Sequence, residues 1–131
     1  MGRWGKRYVY GTQGRAPDLG DTWFRSKSER NYARFLRFLG IPYAYEPVTF
    51  VFEKIRSGNR TFKPDFYLPK AGEYHEVKLW MDKKSAIKLK RMRIHHPKVK
   101  VIVIGPEFFR SVCARRLCRV IAHYECPHNR G

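Results

Sequence analysis

The sequence predicts an α/β fold whose elements follow the order α-β-β-β-α-β-α. Residues 26–39 carry apolar side chains at helical spacing between two capping signals. Residues 43–79 hold three segments rich in aromatic and β-branched side chains, and residues 81–122 indicate a helix, a strand and a last helix. A chain of 131 residues, of which 43% are hydrophobic, is large enough to bury one core.

The charge of the chain restricts its class of partner. Lys and Arg number 28 against 11 Asp and Glu, which gives a net charge of +17. A protein this basic is expected to bind a polyanion, so an acid in an unusual position becomes informative. The longest apolar run, residues 101–104, is far too short to span a membrane, and no membrane partner is expected. Three cysteines argue against a disulfide framework, and we expect a cytoplasmic protein, in the host cell if a phage encodes it.

Residues 1–23 are predicted to form a basic arm outside a single domain that spans residues 24–131. The arm holds five of the ten glycines among cationic and aromatic side chains, and it shows neither a strand period nor a helical period. We expect it to be mobile or loosely packed. Such a segment can contact phosphates and bases, although an ordinary flexible terminus is the slightly favoured explanation of the composition.

The first helix is predicted to begin near Ser26 and to end near Leu39. Ser26 suits the N-cap, Gly40 suits the position after the last turn, and Pro42 blocks continuation. Glu29 falls on the apolar side of this helix and should point inward. The apolar stripe consists of Tyr32, Ala33, Leu36 and Leu39. A second face, expected to be exposed, carries Lys27, Arg30, Arg34 and Arg37.

The remaining elements follow in order along the chain. The predicted strands are residues 43–52, with Pro47 marking an edge or a bulge, then residues 61–68 and 74–79. A helix from Met81 to about His95 has Met81, Ser85, Leu89 and Met92 on its inward stripe. Residues 99–104 suit a strand buried on both faces, and residues 106–122 suit the last helix.

The central hairpin places two acids opposite each other. If its loop is residues 69–72, then Leu68 faces Glu73 and Asp65 faces Glu76 in the same register. Side chains alternate along a strand, so one face carries Lys63, Asp65, Glu76 and Lys78, and the other carries Phe62, Phe66, Val77 and Leu79. Two opposed carboxylates repel each other unless a cation compensates, and a divalent ion does so best.

Glu29 would add a third acid if the first helix packs on this face. An acidic metal pocket within a basic protein is the electrostatic pattern of a metal-dependent phosphodiesterase. Each residue also has an ordinary explanation. Ser26 and Glu29 fit a capping box, Asp65 fits a bend, and Glu76 with Lys78 fits a solvated ion pair. The combination of all these residues on one predicted face favours the pocket.

Four sequence segments that carry these residues resemble the PD-(D/E)xK nuclease superfamily. They are residues 24–30, Tyr45-Glu46-Pro47, Lys63-Pro64-Asp65-Phe66 and His75-Glu76-Val77-Lys78. The resemblance covers residues 24–104. It implies a restriction-endonuclease-like α-β-β-β-α-β core, with a mixed central sheet flanked by helices. It also implies hydrolysis of DNA phosphodiesters with Mg²⁺, or Mn²⁺ as a substitute, to leave 5′-phosphate and 3′-hydroxyl ends.

The resemblance assigns a role to each residue of the predicted pocket. Asp65, Glu76 and the Val77 carbonyl would bind the metal, and Glu29 would complete the metal shell or organise its waters. Lys78 would orient or deprotonate the attacking water. Glu46 is a further acid that could contact the metal ligands without binding the metal itself.

The sequence leaves more than one substrate and function open. The small size and strong basicity are similar to archaeal-type Holliday junction resolvases, which are homodimers that make paired nicks in branched DNA. The motifs also resemble transposon end-cutting endonucleases and small phage nucleases. A non-catalytic basic nucleic-acid-binding protein is the third reading. Candidate DNA contacts are Lys27, Arg30, Arg34, Arg37, Lys63, Lys83, Lys84, Lys88 and Arg91, and Trp80 could stack on a base.

A group of cysteines and histidines lies near the end of the chain, at Cys113, Cys118, His123, Cys126 and His128. On one continuous helix, Cys113 and Cys118 would point about 140° apart. The spacing also matches no familiar zinc motif. Buried thiols are therefore expected here in preference to a zinc site.

Overall fold

The structure, a computed structural model, describes residues 13–126. The chain divides into two compact units. The first unit comprises Met1–Ile41 and Phe108–Gly131, and the second unit comprises Pro42–Glu107. The predicted single domain over residues 24–131 contains parts of both units and stays a prediction.

A short β-hairpin opens the described part of the first unit. Strands β1 (Gly14–Ala16) and β2 (Thr22–Phe24) pair antiparallel, and a 3-10 turn at Pro17–Leu19 lies between them. Ala16 and Phe24 are fully buried. The prediction of a mobile or loosely packed arm is therefore wrong for residues 13–23, because the hairpin buries apolar side chains that show no sequence period. The rest of the predicted arm, residues 1–12, lies outside the described residues.

Helix α1 (Lys27–Phe38) follows the hairpin and has the predicted caps. The Ser26 hydroxyl accepts a hydrogen bond from the Glu29 N–H at 3.1 Å, and Gly40 has a φ of 70° just beyond the helix end. The stripe residues Tyr32, Ala33 and Leu36 are buried, as predicted. Leu39 is 51% exposed, because the helix ends at Phe38 and the chain turns away before the stripe can continue.

Helix α3 (Pro106–Ala114) ends much earlier than predicted. Arg116 adopts a left-handed backbone conformation with a φ of 59°, and a 3-10 turn at Leu117–Arg119 follows. A continuous helix to residue 122 is therefore wrong. The turn lets residues after the helix fold back onto it, and the resulting buried cluster consists of Val112, Cys118 and Ile121, with Phe35 and Phe108 packed against it.

The second unit contains a mixed four-stranded sheet, so the chain has an α/β fold. The sheet order is β3 (Ala44–Tyr45), β6 (Phe66–Leu68), β7 (Glu73–Val77) and β8 (Val101–Ile104). Strand β6 pairs antiparallel with both β3 and β7, and β8 runs parallel to β7. Helix α2 (Lys83–His95) makes the crossover between β7 and β8, as a parallel connection requires.

Two of the predicted long strands are each broken in the middle. Residues 43–52 break where Glu46 takes a φ of 47° before Pro47, and residues 61–68 break at Pro64, which has no N–H for a sheet ladder. The last part of the first predicted strand and the first part of the second pair with each other instead. They form a separate two-stranded sheet of β4 (Phe50–Val51) and β5 (Thr61–Phe62). Strand β7 stops at Val77, so Leu79 is half exposed and does not join the core.

Strand β8 lies at an edge of the described sheet and is not buried on both faces. Val103 is 40% exposed, which corrects the prediction made from its apolar composition. The buried side of this unit is a cluster of Phe52, Phe62, Leu89 and Met92. Met81 is exposed because Asp82 caps α2, and the helix therefore begins after Met81. No helix within residues 13–126 is long and apolar enough to cross a membrane.

Candidate active site

The register of the central hairpin is as predicted from the sequence. Leu68 pairs with Glu73 and Phe66 pairs with His75, so the next position places Asp65 beside Glu76. The Asp65 N–H donates to Glu76 Oε1 at 3.1 Å, and the Val77 N–H donates to Asp65 Oδ2 at 2.8 Å. Each carboxylate is thus held by a backbone N–H from the other side of the hairpin, which fixes its orientation.

Both carboxylates are withdrawn from water. Asp65 is 6% exposed and Glu76 is 8% exposed. A buried negative charge is costly unless hydrogen-bond donors or cations face it, and the two backbone N–H groups supply part of that compensation. Carboxylate oxygens are also the ligands that Mg²⁺ prefers, so both residues have the chemistry of ligands for a hard divalent cation. Asp65 follows Pro64, in the break between β5 and β6, directly before the first residue of β6.

A cavity of about 230 Å³ lies beside Glu76 in the second unit. Its polar lining combines one carboxylate, three ammonium groups and several hydroxyls, from Glu76, Lys63, Lys78, Lys88, Thr61 and Ser85. Ammonium groups and hydroxyls are donors that suit a phosphate group. The cavity therefore places cationic and hydroxyl donors beside Glu76, one of the two buried carboxylates.

Lys78 is the cation closest in sequence to Glu76. Its N–H donates to the Ile104 carbonyl at 3.0 Å, which fixes its backbone beside β8. Asp82 lies near it at the start of α2. The hydrogen bond from the Ser85 N–H is the main cause that lowers the pKa of Asp82 below its usual value. The positive charges of Lys78 and Lys84 contribute less. Val77 ends β7 next to Lys78, and the role of its carbonyl as a metal ligand stays a prediction.

Glu46 has a more central place than the sequence suggested. Its N–H donates to the Asp65 carbonyl at 2.7 Å, and the two side chains bring carboxylate oxygens within 4.8 Å of each other. Lys63 Nζ lies 3.9 Å from Glu46 Oε1. The signal in the sequence was Pro47, which marks the strand break that turns Glu46 towards Asp65.

Glu29 lies in the first turn of α1 and is 7% exposed, so its side chain does not point into solvent. It belongs to the first unit, whereas Asp65 and Glu76 belong to the second. That Glu29 completes the metal site stays a prediction.

The predicted cationic residues of the second unit fall into two groups. Lys83 and Lys84 are exposed, and Lys63 and Lys88 line the cavity. Arg91 instead donates to the carbonyls of Gly58 and Asn59, so its guanidinium is engaged in holding the turn between β4 and β5.

The basic face of α1 is not the exposed surface that its spacing predicted. Arg30 and Arg34 are only 6% and 5% exposed. Arg34 donates to both carboxylate oxygens of Asp18 at 3.0 Å, and Arg30 and Arg34 donate to Glu125 at 2.6 and 2.7 Å. The prediction that Arg30 and Arg34 are exposed DNA contacts is wrong. Both pair inside the first unit with acids that are distant in the sequence.

Arg37 joins the same group, which we call the arginine cluster: Arg30, Arg34 and Arg37 with Asp18 and Glu125. Arg37 donates to Asp18 Oδ2 at 2.9 Å and to the Ala122 carbonyl at 2.9 Å, so it is also engaged within the first unit. Lys27 lies half-buried at the start of α1, and its contact with DNA stays a prediction.

The arginine cluster should make the first unit sensitive to acid. Burial alone would raise the pKa of Asp18, but the guanidinium groups of Arg34 and Arg37 outweigh it and lower the pKa from its usual 3.8 to about 2. A lowered pKa stabilises the fold above pH 3.8, and this stability is lost as the pH falls towards 2. The expected loss is about 2 kcal/mol in the free energy of unfolding.

Urea unfolding followed by circular dichroism between pH 6 and pH 2 measures this loss. Asp18→Asn should be less stable at pH 6 and should lose less stability on acidification than the natural chain. Equal pH dependence in the two chains would show that Asp18 does not carry the effect.

Comparison with protein-family models, curated proteins and solved structures finds no match to this chain.

Proposed function

We propose that the protein is a metal-dependent DNA endonuclease of the PD-(D/E)xK type, with a restriction-endonuclease-like core and branched DNA as its preferred substrate. The observation that carries the proposal is the buried pair Asp65 and Glu76, held by reciprocal backbone hydrogen bonds beside a lysine-lined cavity. The chain has only 11 acids against 28 basic residues, so two acids buried in neighbouring positions are an unusual use of them.

The residues present fit Mg²⁺, with Mn²⁺ as a substitute. Asp65, Glu76 and the Val77 carbonyl, all of the second unit, would hold the ion, which would neutralise the charge that develops on the phosphate. Glu46 adds negative charge next to Asp65 and would strengthen the attraction for a cation.

Lys78 would act on the attacking water. Its Nζ would donate a hydrogen bond that holds the water against the phosphorus atom, or would accept the water's proton as the bond forms. Lys63 and Lys88 line the same cavity and would bind the phosphate oxygens. These three cations would keep the phosphodiester oriented for attack and would stabilise its negative charge.

The DNA-binding surface would lie on the second unit. Residues 83–105 contain eight Lys or Arg and no acid. Lys83 and Lys84 are exposed at the start of α2, and the indole of Trp80 is 78% exposed two residues after Lys78. Broad cationic surfaces bind phosphates without reading sequence, which suits recognition of a DNA shape such as a four-way junction. Paired nicks in a junction would require a homodimer, and the enzyme would act in the cytoplasm, or in that of a phage host.

The proposal is tested by incubating the protein with four-way junction, duplex, flap and single-stranded DNA in Mg²⁺, Mn²⁺ or EDTA. We expect Mg²⁺-dependent cleavage with symmetric nicks in the junction and 5′-phosphate products. Cleavage of all duplexes alike would instead support a phage- or transposon-type endonuclease.

A non-catalytic nucleic-acid-binding protein is the second candidate, favoured by the net charge alone. It predicts tight, salt-sensitive binding to all four DNAs and no cleavage in either metal. That result would overturn the enzyme proposal.

A further inference from the structure

Three cysteine side chains meet in the first unit. Cys113 lies on α3, Cys118 lies in the 3-10 turn that follows, and Cys126 lies near the end of the described chain. Their sulfur atoms all lie within 4.8 Å of one another, and the Cys126 and Cys118 sulfurs are 3.3 Å apart. These are all the cysteines of the chain.

This convergence is the opposite of what one continuous helix implies. Helix α3 ends at Ala114, and Arg116 takes a φ of 59°, so the chain reverses between Cys113 and Cys118. The reversal brings the thiols of Cys113 and Cys118, which would point apart on one helix, close to each other. The 140° divergence expected from the sequence assumed one continuous helix through both cysteines. Because the helix ends between them, that divergence does not argue against a zinc site.

The sulfur geometry fits a tetrahedral thiolate site. Zinc binds cysteine sulfur at about 2.3 Å, which places the sulfurs of one tetrahedron about 3.8 Å apart. The Cys118 and Cys126 sulfurs, 3.3 Å apart, are closer than this, and the other two pairs lie within 4.8 Å, so small side-chain shifts would give the tetrahedral spacing. One disulfide would join only two of the three sulfurs and would leave the third unexplained.

Access to the group is also present. Cys118 and Cys126 line a cavity of about 500 Å³ together with His123 and Tyr124. An ion can enter by this route, and a water molecule or an imidazole can take the fourth ligand position.

We propose that Cys113, Cys118 and Cys126 bind one Zn²⁺ ion through their sulfurs and form a structural site. Each thiol loses its proton to solvent as its sulfur binds, and no oxidation or reduction takes place. The ion would link three segments that pack in one cluster: α3, the 3-10 turn and the segment that ends the described chain.

The site would fix the arginine cluster as well as the cysteines. Glu125 directly precedes Cys126, and its backbone carbonyl and N–H pair with the Asn31 side chain at 3.1 and 2.9 Å. Its carboxylate accepts from Arg30 and Arg34. Zinc bound at Cys126 would therefore hold Glu125 against α1, and its loss should loosen both groups together.

The first test measures metal in the purified full-length protein, kept reduced and free of added chelator. We expect about one zinc per chain by plasma mass spectrometry, and less than about a tenth of that in Cys118→Ser and Cys126→Ser. Ser111→Ala, an exposed change on the same helix, is the matched control and should keep its zinc. A natural chain without zinc after purification and after addition of Zn²⁺ would overturn the proposal.

A second measurement uses the natural chain alone, so it tests the site even if the serine variants do not fold. Zinc is removed from the natural chain with a chelator, and Co²⁺ is added to the product. Sulfur-to-cobalt charge-transfer absorption and intense visible bands of tetrahedral Co²⁺ are expected, with a melting temperature that falls on metal removal and returns with Zn²⁺. Absence of these bands, or a disulfide seen by mass spectrometry in the freshly purified chain, would overturn the zinc site. Neither readout depends on DNA cleavage.

Discussion

Asp65→Asn should lower Mg²⁺-dependent DNA cleavage on the order of a thousandfold, while DNA binding changes by no more than about twofold. The amide oxygen of asparagine can still accept the hydrogen bond from the Val77 N–H, so the hairpin should keep its geometry. The substitution removes the negative charge that would hold the metal, and it leaves the cations that bind phosphate unchanged. Initial rates of junction cleavage, with binding measured in Ca²⁺, separate these two effects.

Glu76→Gln and Lys78→Ala should have similar effects on cleavage, because both residues face the same cavity. Glu53→Gln is the matched control for the carboxylate changes, since Glu53 is an exposed acid of the same unit. Lys98→Ala is the corresponding control for Lys78. Full cleavage activity in Asp65→Asn would rule out the proposed site, whereas equal losses in the variants and controls would point to general damage.

The central hairpin was predictable because the information that determines it is local. A short loop sets the register, and side-chain alternation then places Asp65 beside Glu76 without knowledge of any other element. The caps of α1 were predictable for the same reason, since Ser26 and Gly40 act within one turn of the helix.

The features that the sequence did not reveal depend on contacts between distant residues. The spacing of Arg30 and Arg34 fits an exposed cationic face, and their burial depends on Asp18 and Glu125, which local pattern cannot connect to them. The cysteine group was missed because one backbone conformation, at Arg116, ends α3 early. A non-glycine residue with positive φ leaves little trace in the sequence, so the reversal was not expected.

Arg34→Ala should lower the free energy of unfolding of the protein by about 3–5 kcal/mol. Arg34 is 5% exposed and is the residue that joins the cluster, since it donates to Asp18 through two nitrogens and to Glu125 through Nη1. Its removal takes a bidentate partner from the largely buried Asp18 and one cation from the partly exposed Glu125. These two acids keep Arg37 and Arg30 respectively. Urea unfolding at pH 7 measures the change.

Arg34→Lys tests whether geometry or charge alone matters in the cluster. A lysine ammonium keeps the charge but lacks the planar fork that reaches Asp18 and Glu125 together, so we expect it to recover only part of the loss. Arg115→Ala removes an exposed cation of the same unit and should change stability by less than about 0.5 kcal/mol. If Arg34→Ala is as stable as Arg115→Ala, the cluster contributes no more than an ordinary surface ion pair. In that case the inward face of α1 must be held by its apolar residues, Tyr32, Ala33 and Leu36, rather than by the buried arginines.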